Sequence, residues 1–147
     1  MKFAKILAAL SIGALTAGCA AGDGGSQGET AQNDTSQTLV TDVDALAAQK
    51  LLASDESIVV LDVRTPREYA EGHIEGATNA DFKSDDFEQR LSKLDPAAHY
   101  LIHCKSGGRS SGALEVMQKL GFERVSHLNN GFDAWQDAEL PVAVSDS

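Results

Sequence analysis

The sequence predicts an α/β domain whose central, mostly parallel sheet is covered by helices on both faces. Short apolar runs, among them SIVVLDV and HYLIH, alternate with segments in which apolar residues recur at helical spacing. The apolar runs are continuous, as in parallel strands that are buried on both sides. A chain of 147 residues can form one domain with a proper core. We therefore expect a single folded unit over residues 38–147.

The first half of this unit is predicted to contain a helix, a buried strand and a second, short helix. The segment TDVDALAAQKLL predicts an amphipathic helix with its cap at Thr41. Its buried face would consist of Val43, Leu46, Ala47 and Leu51. After the strand in SIVVLDV, the segment TPREYAEG carries Thr65 as a cap, Pro66 at the first helical position and Glu68 three residues after the cap. This spacing predicts a short helix with a capping box, which ends at Gly72.

The second half is predicted to add two strands and three helices. A brief segment near ATNADF, a helix in DDFEQRLSKL and the strand HYLIH follow in that order. The segment SSGALEVMQKLGF predicts an amphipathic helix that starts near Ser110 and ends at Gly121. Its apolar stripe consists of Ala113, Val116, Met117 and Leu120. The strand RVSHL and a short helix that starts in GFDAW complete the domain.

The first residues have the features of an export signal. Lys2 and Lys5 precede an uncharged apolar run over residues 6–17, which has the length of a signal peptide and is too short to span a bilayer. The following LTAGC resembles the bacterial lipobox, in which the cysteine is lipidated and becomes the mature N-terminus. We expect a signal peptide over residues 1–18 and a lipid on Cys19. The alternative is a simple secretory signal that is cleaved near the same place.

A polar segment without large apolar residues, AAGDGGSQGETAQNDTSQ, comes next. It cannot bury enough surface to fold, so it predicts a flexible tether over residues 19–37. The domain is therefore expected on the periplasmic side of a bacterial membrane. Ala20 stands where an aspartate would follow the lipidated cysteine in inner-membrane lipoproteins, and this resemblance points to the outer membrane.

Composition argues against several classes of partner and ligand. The net charge of -10 opposes general binding to nucleic acid or to anionic membranes. The only two cysteines, Cys19 and Cys104, lie in regions of different character, so no disulfide framework is expected. The sequence contains no recognisable metal cluster or nucleotide fingerprint, and we expect no cofactor and no metal site.

The stretch CKSGGRS, Cys104 to Ser110, directly follows the strand HYLIH. Ligands bind outside the carboxyl ends of the strands in sheets of this kind. Backbone N–H groups of the loop can converge on the sulfur of Cys104 because Gly107 and Gly108 are free to adopt left-handed angles. The N-terminus of the next helix, Lys105 and Arg109 would each favour the thiolate over the thiol. The loop therefore predicts a cradle for an anion around a reactive cysteine.

Three segments carry a resemblance to a known family: LDVRTPREYAEGHIEGATN, the loop CKSGGR with Ser110, and GFERVSHLNNGFDAW. The chain from about residue 39 to 144 resembles the rhodanese (thiosulfate sulfurtransferase) domain. The resemblance implies that Cys104 attacks the outer sulfur of a donor such as thiosulfate, releases sulfite and holds a persulfide, which a thiol or cyanide then takes. One departure is LNNG, where the family has two glycines at its end. Asn130 tolerates left-handed angles, so the turn should survive.

The candidate site residues divide into three groups. Cys104 is the nucleophile, and the active-site loop that binds the substrate consists of Lys105, Ser106, Gly107, Gly108, Arg109 and Ser110. Supporting roles are expected for Asp62, Arg64 and Glu68, which lie at or just after the strand SIVVLD. His103 would point to the opposite face from Cys104, and no histidine is expected to be catalytic.

Two alternative functions remain open. A cysteine phosphatase on a similar fold has five residues between its cysteine and arginine, whereas this loop has four, which suits a sulfur atom better than a phosphate. A non-catalytic module that binds partners or senses redox state would not need the complete loop. With Cys19 lipidated or removed, no second thiol remains to resolve the persulfide, so the acceptor must come from outside the chain.

Overall fold

The structure is a computed structural model, and it describes residues 37–144. The predicted signal peptide, the lipidation site and all but the last residue of the predicted tether lie outside the described residues. Within residues 37–144, none of the helices has both the length and the apolar character that crossing a membrane requires.

The centre of the domain is one sheet of five strands, all of them parallel. In chain order they are β1 (Leu39–Val43), β2 (Val59–Asp62), β3 (Thr78–Asn79), β4 (His99–His103) and β5 (Arg124–Leu128). Their order across the sheet is β1-β5-β4-β2-β3, which places β4 in the middle and β1 and β3 at the edges. The predicted α/β class is confirmed, and the sheet is fully rather than mostly parallel.

Within residues 37–144, four helices connect the strands and a fifth follows β5. They are α1 (Ala45–Ser54), α2 (Pro66–Ala70), α3 (Phe87–Leu91), α4 (Gly108–Lys119) and α5 (Gly131–Asp137). The predicted capping box of α2 is confirmed: Thr65 accepts a hydrogen bond from the N–H of Glu68, and the Glu68 carboxylate accepts one from the N–H of Thr65.

The sheet is covered on both faces, as the sequence predicts. On one face, Leu61, Ile102 and Val125 of the strands pack with side chains of α3 and α4. On the other face, Leu101 and Leu128 pack with side chains of α1 and α5. Because neighbouring residues of a strand point to opposite faces, β2, β4 and β5 each supply side chains to both cores.

The expected start of the first helix is wrong. Thr41 is not a helix cap but part of β1, which pairs in register with β5. The helix is capped by Asp44, whose side chain accepts the N–H of Ala47 at 2.7 Å, and it buries Ala45 and Ala48. Leu46, expected on the buried face, is 55% exposed. The polar residues of TDV led to the error, because an edge strand needs little apolar character and can be read as a helix start.

The last long helix starts two residues earlier than predicted. Helix α4 begins at Gly108, with Gly107 as its N-cap, so the glycine pair belongs to the helix start. Its buried residues include Ala113 and Met117 of the predicted stripe. Gly121 follows the helix with a φ of +78°, as expected of a C-terminal glycine.

Candidate active site

Cys104 immediately follows β4, at the carboxyl end of the central strand. Only 1% of the residue is exposed, and it belongs to the core on the α3–α4 face. Its carbonyl accepts the N–H of Phe132 at 2.8 Å, which fixes the backbone at this point to the start of α5. The sulfur therefore forms the floor of the loop and is not a surface thiol.

The sulfur of Cys104 accepts hydrogen bonds from the loop. The N–H of Gly107 lies 3.1 Å from Sγ, and the hydroxyl of Ser110 lies 3.5 Å from it. Burial raises the pKa of the thiol, but hydrogen bonds from the Ser110 hydroxyl and from the N–H groups of Ser110, Ser106 and Gly107 outweigh burial and hold the pKa below its ordinary value. The N-terminus of the 12-residue helix α4 adds a partial positive charge at the same place. The loop therefore favours the thiolate.

The loop is shaped by a second loop, the turn that follows β5. Gly107 has a φ of +100°, and a Cβ atom there would lie 1.9 Å from the carbonyl oxygen of Asn129. Gly131 has a φ of +65°, and a Cβ atom there would lie 2.4 Å from the carbonyl oxygen of Lys105. The expectation of left-handed angles is therefore correct for Gly107 but not for its neighbour. Asn130, with a φ of -91°, needs no left-handed angle.

Arg109 and Glu68 form an ion pair with two hydrogen bonds. Nη1 and Nη2 of Arg109 each donate to one carboxylate oxygen of Glu68, both at 2.7 Å. These bonds are the main reason why the pKa of Glu68 lies well below its ordinary value, and a bond from the Thr65 hydroxyl adds to the shift. The charge of Arg109, expected to favour the thiolate, is thus balanced by a carboxylate. Arg109 instead ties the loop to α2.

The other basic residues near the loop are also paired with carboxylates. Lys105 lies 3.6 Å from Asp133, and both side chains are exposed. Arg64 is buried and donates from Nε and Nη2 to the carboxylate of Asp62, with its guanidinium 4.0 Å above the ring of Phe132. A cleft beside the loop is lined by Arg64, Glu68, Glu71, Gly72, Lys105, Phe132, Asp133 and Gln136. The structure therefore brings the predicted supporting residues to the side of the loop and not to the sulfur.

Two residues that the sequence did not single out also reach the site. Nε2 of His127 lies 2.9 Å from the hydroxyl oxygen of Ser110, and Nδ1 of His127 lies 2.8 Å from Oδ1 of Asp42. His127 and Asp42 are register partners on β5 and β1. The alternation of RVSHL places His127 on the same face as Val125, which was a usable signal, but the partner strand had been taken for a helix start. Within residues 37–144, no three His, Cys, Asp or Glu side chains come close enough to hold a metal ion.

Comparison with known proteins gives a consistent result. The sequence profile described as the rhodanese-like domain matches residues 44–138. The chain is 30% identical over 106 residues to a sulfurtransferase from Allochromatium vinosum, which covers 72% of this chain and 97% of the relative. It is 32% identical over 126 residues to thiosulfate sulfurtransferase 18 from Arabidopsis thaliana, covering 78% of this chain and 91% of the relative. Among solved structures, the rhodanese-like domain of an Anabaena protein superposes with a TM-score of 0.64 at 28% identity, over 71% of this chain and 79% of that one.

Proposed function

Because the chain belongs to the rhodanese-like domain family, we propose that it is a sulfurtransferase that moves sulfane sulfur from thiosulfate or a similar donor to a thiol or to cyanide. One observation carries the proposal: the sulfur of Cys104 accepts hydrogen bonds from Gly107 and Ser110 at the N-terminus of α4. Donors fixed in this way stabilise a thiolate, and they suit the terminal anion of a persulfide as well.

The reaction has two steps at one sulfur atom. The Cys104 thiolate attacks the outer sulfur of thiosulfate, the S–S bond of the donor breaks, and sulfite leaves with the electron pair. In the second step, an acceptor thiolate or cyanide attacks the terminal sulfur of the persulfide. The bond to Cys104 breaks, the product is an organic persulfide or thiocyanate, and the Cys104 thiolate returns.

The state of Arg109 supports sulfur transfer over phosphatase chemistry. Arginine typically binds phosphate through two parallel hydrogen bonds, whereas both terminal nitrogens of Arg109 already donate to Glu68, which balances the charge of the guanidinium. The four residues between Cys104 and Arg109 also form a smaller loop than the five of a cysteine phosphatase. Wild-type protein should therefore act on thiosulfate and not on an aryl phosphate.

Mass spectrometry of the intact protein tests the proposal. After incubation with thiosulfate and removal of the excess donor, wild type should carry one added sulfur atom on Cys104, which cyanide removes as thiocyanate. Cys104→Ser keeps the size of the side chain but is a far poorer nucleophile, so it should gain no sulfur. A wild-type protein that gains no sulfur from thiosulfate or from an organic persulfide would support the alternative of a non-catalytic binding or redox-sensing module.

We also propose that the domain is exported and held at the periplasmic side of the outer membrane by a lipid on Cys19. The support is the sequence LTAGC after a short apolar run, followed by a polar tether. Metabolic labelling with a fatty acid should mark the wild-type chain but not Cys19→Ala. Unlabelled wild-type protein that fractionates with soluble periplasmic contents would contradict this.

A further inference from the structure

A chain of hydrogen bonds leads from the catalytic sulfur to an aspartate on the edge strand β1. Ser110 lies 3.5 Å from the sulfur of Cys104 and 2.9 Å from Nε2 of His127, whose Nδ1 lies 2.8 Å from Asp42. The side chain of His127 is 6% exposed, whereas that of Asp42 is 64% exposed. The chain of bonds therefore connects a buried sulfur with a solvated carboxylate.

Asp42 decides which ring nitrogen of His127 carries a proton. An ionised carboxylate only accepts hydrogen bonds, so Nδ1 of His127 must donate to it. In the neutral ring, Nε2 is then a free acceptor that faces the hydroxyl of Ser110. His127 is thus oriented to receive a proton from the side of the sulfur.

The single hydroxyl proton of Ser110 has three acceptors within reach: Sγ of Cys104, Nε2 of His127 and the carbonyl oxygen of Gly107. The carbonyl of Gly107 already accepts both the N–H and the hydroxyl of Ser111, each at 2.9 Å, which fills its two lone pairs. The proton of Ser110 is therefore left to serve either the sulfur or His127.

We propose that His127, oriented by Asp42, takes up the proton of the Cys104 thiol through Ser110 and so sets the ionisation of the sulfur. The thiol proton passes to the hydroxyl oxygen of Ser110 while the hydroxyl proton passes to Nε2 of His127, and no other bond changes. The product is a thiolate that accepts a hydrogen bond from Ser110, next to an imidazolium that donates to both Ser110 and Asp42. Hydrogen bonds to a thiolate and from an imidazolium are stronger than those of the neutral thiol and imidazole, so the two charged groups stabilise each other through Ser110.

In this scheme Ser110 is a catalytic residue because it contacts the reacting sulfur, whereas His127 and Asp42 are positioning residues that act through it. The scheme gives a histidine a role at the site, which the sequence analysis did not expect. It rests on the proposed function only in taking Cys104 as the nucleophile.

The groups around His127 that titrate or carry charge are few. Asp42 of β1 contacts the ring directly, and Cys104, after β4, contacts it through Ser110 of α4. Helices α1 and α5 pack on the other face of the sheet. The further charged residues of the helices on the same face are Glu88 and Arg90 of α3 and Arg109, Glu115 and Lys119 of α4. Of these, Arg109 is paired with Glu68 and Arg90 with Asp86.

The rate at which iodoacetamide alkylates Cys104 in the full chain, measured from about pH 5 to pH 9, tests the proposal. His127→Gln places an amide N–H near the position of Nε2, so it can still donate to Ser110 but cannot take up a proton. We expect about three- to tenfold slower alkylation than wild type near pH 6, since one pKa unit changes the thiolate fraction tenfold. The difference should shrink at higher pH, where the thiol of Cys104 loses its proton to the solvent in both proteins. A loss by the same factor at every pH is the signature of a merely structural role and would overturn the proposal.

Three further variants make the test specific. His99→Gln is the matched control, because His99 makes the same type of bond, 2.9 Å to Ser126, at the start of β4 and away from Cys104; its profile should match wild type. In a Ser110→Ala background, His127→Gln should have no pH-dependent effect, and a retained effect would contradict transfer through Ser110. Asp42→Asn changes an exposed residue and should shift the profile in the same direction by a smaller factor. If His127→Gln does not fold, an Asp42→Asn profile identical to wild type overturns the proposal.

Alkylation requires no sulfur donor, so the two proposals fail separately. If the protein forms a persulfide but the alkylation rates of wild type and His127→Gln differ by the same factor at every pH, the proposed sulfurtransferase activity stands and the proposed proton transfer to His127 is wrong. If the difference between the two alkylation rates depends on pH but no persulfide forms, proton transfer to His127 stands and the proposed sulfurtransferase activity is wrong.

Discussion

Two buried histidines occupy matching positions in the sheet, and they differ in almost everything else. His103 on β4 is the register partner of Asp62 on β2, and His127 on β5 is the register partner of Asp42 on β1. His127 lies 2.8 Å from its aspartate and contacts Ser110. His103 lies 3.8 Å from its aspartate, and its Nε2 has no hydrogen-bond partner among residues 37–144.

The two histidines differ because their aspartates have different further partners and because the two side chains lie on opposite faces of the sheet. Asp62 accepts several hydrogen bonds from Arg64 and is occupied by that charge. His103 is fully buried, and burial lowers its pKa, so it is neutral and part of the core. It is next to Cys104 in the sequence but points to the opposite face, whereas His127 is distant in sequence and shares the face of the sulfur. Proximity in sequence is therefore a poor guide to which histidine reaches the sulfur.

The largest expected effect comes from displacing the loop around Cys104. Sulfur chemistry on the face of the sheet that carries His127 should be lost, while the core on the face that carries His103 stays folded. In Gly107→Ala, the new Cβ would lie 1.9 Å from a backbone oxygen at a φ of +100°. Displacing one well-aimed donor costs about 3 to 4 kcal/mol, so persulfide formation should fall by about a hundredfold or more. Gly108→Ala, whose Cβ meets nothing within 4 Å, should lose far less. Equal losses in the two variants would show that the contact with the turn does not shape the site.

His103→Leu should affect stability and not sulfur chemistry. We expect a loss of about 1 to 2 kcal/mol in the free energy of unfolding at neutral pH, because the hydrogen bond between Nδ1 and the carbonyl of Cys104 disappears. The pKa of His103 is lowered by burial, so the wild-type fold loses stability as the pH falls below the unfolded value of 6.5. The variant should lack this loss, which is at most about 1.4 kcal/mol per pH unit. Chemical unfolding at several pH values measures it, and a changed alkylation profile of Cys104 would contradict the division between the two histidines.

Glu68→Gln should reveal a second, more acidic pH dependence of the free energy of unfolding, after that of His103. Its pKa is lowered mainly by the hydrogen bonds from Arg109, so its contribution is fully present above the unfolded value of 4.5 and is lost as the pH falls below it. Since the pair is only partly buried, we expect about 1 kcal/mol of destabilisation at neutral pH, and no difference from wild type in strong acid. Glu71→Gln, which removes an exposed pair with Arg67, should cost a few tenths of that. Unfolding curves in which both variants behave alike would argue against the bracing role of Arg109.

Lys105→Gln should have the smallest effect. The side chain is 61% exposed and paired at 3.6 Å, so it can attract a donor anion only through a screened field. We expect about two- to threefold slower persulfide formation at low salt and no difference near 1 M salt, where the screening length is about 3 Å. Lys119→Gln, at the other end of α4, is the control. A loss that persists at high salt would indicate direct contact between Lys105 and the donor.

Much of the architecture could be predicted because its signals are local. Continuous apolar runs indicated β2 and β4, RVSHL was read as the strand that is β5, and the spacing of Thr65, Pro66 and Glu68 indicated the capped start of α2. The position of Cys104 followed from one rule about parallel sheets, since the loop begins where a central strand ends.

The part that could not be predicted depends on which strands become neighbours. Strand β1 lies at the edge of the sheet, and only its register with β5 brings Asp42 to His127. Reading TDVDALAAQKLL as a helix capped at Thr41 hid that pairing. Likewise, the loop shows two basic residues in sequence, and only the fold reveals that Glu68 balances one and Asp133 the other.

The contact between the loop and the turn after β5 bears on whether the site can be transplanted. Gly107 and Gly131 each lie so close to a carbonyl oxygen of the opposite loop that a Cβ atom would not fit. The carbonyls of Cys104 and Lys105 also accept N–H groups from the start of α5. CKSGGRS grafted onto another parallel sheet would arrive without the backbone that gives it shape. The smallest portable unit is a pair of neighbouring strand ends, the one that carries Cys104 and the one that leads into Asn129. A designer who copies only the seven residues of the loop would transfer the nucleophile without the turn after β5 that holds the loop in shape.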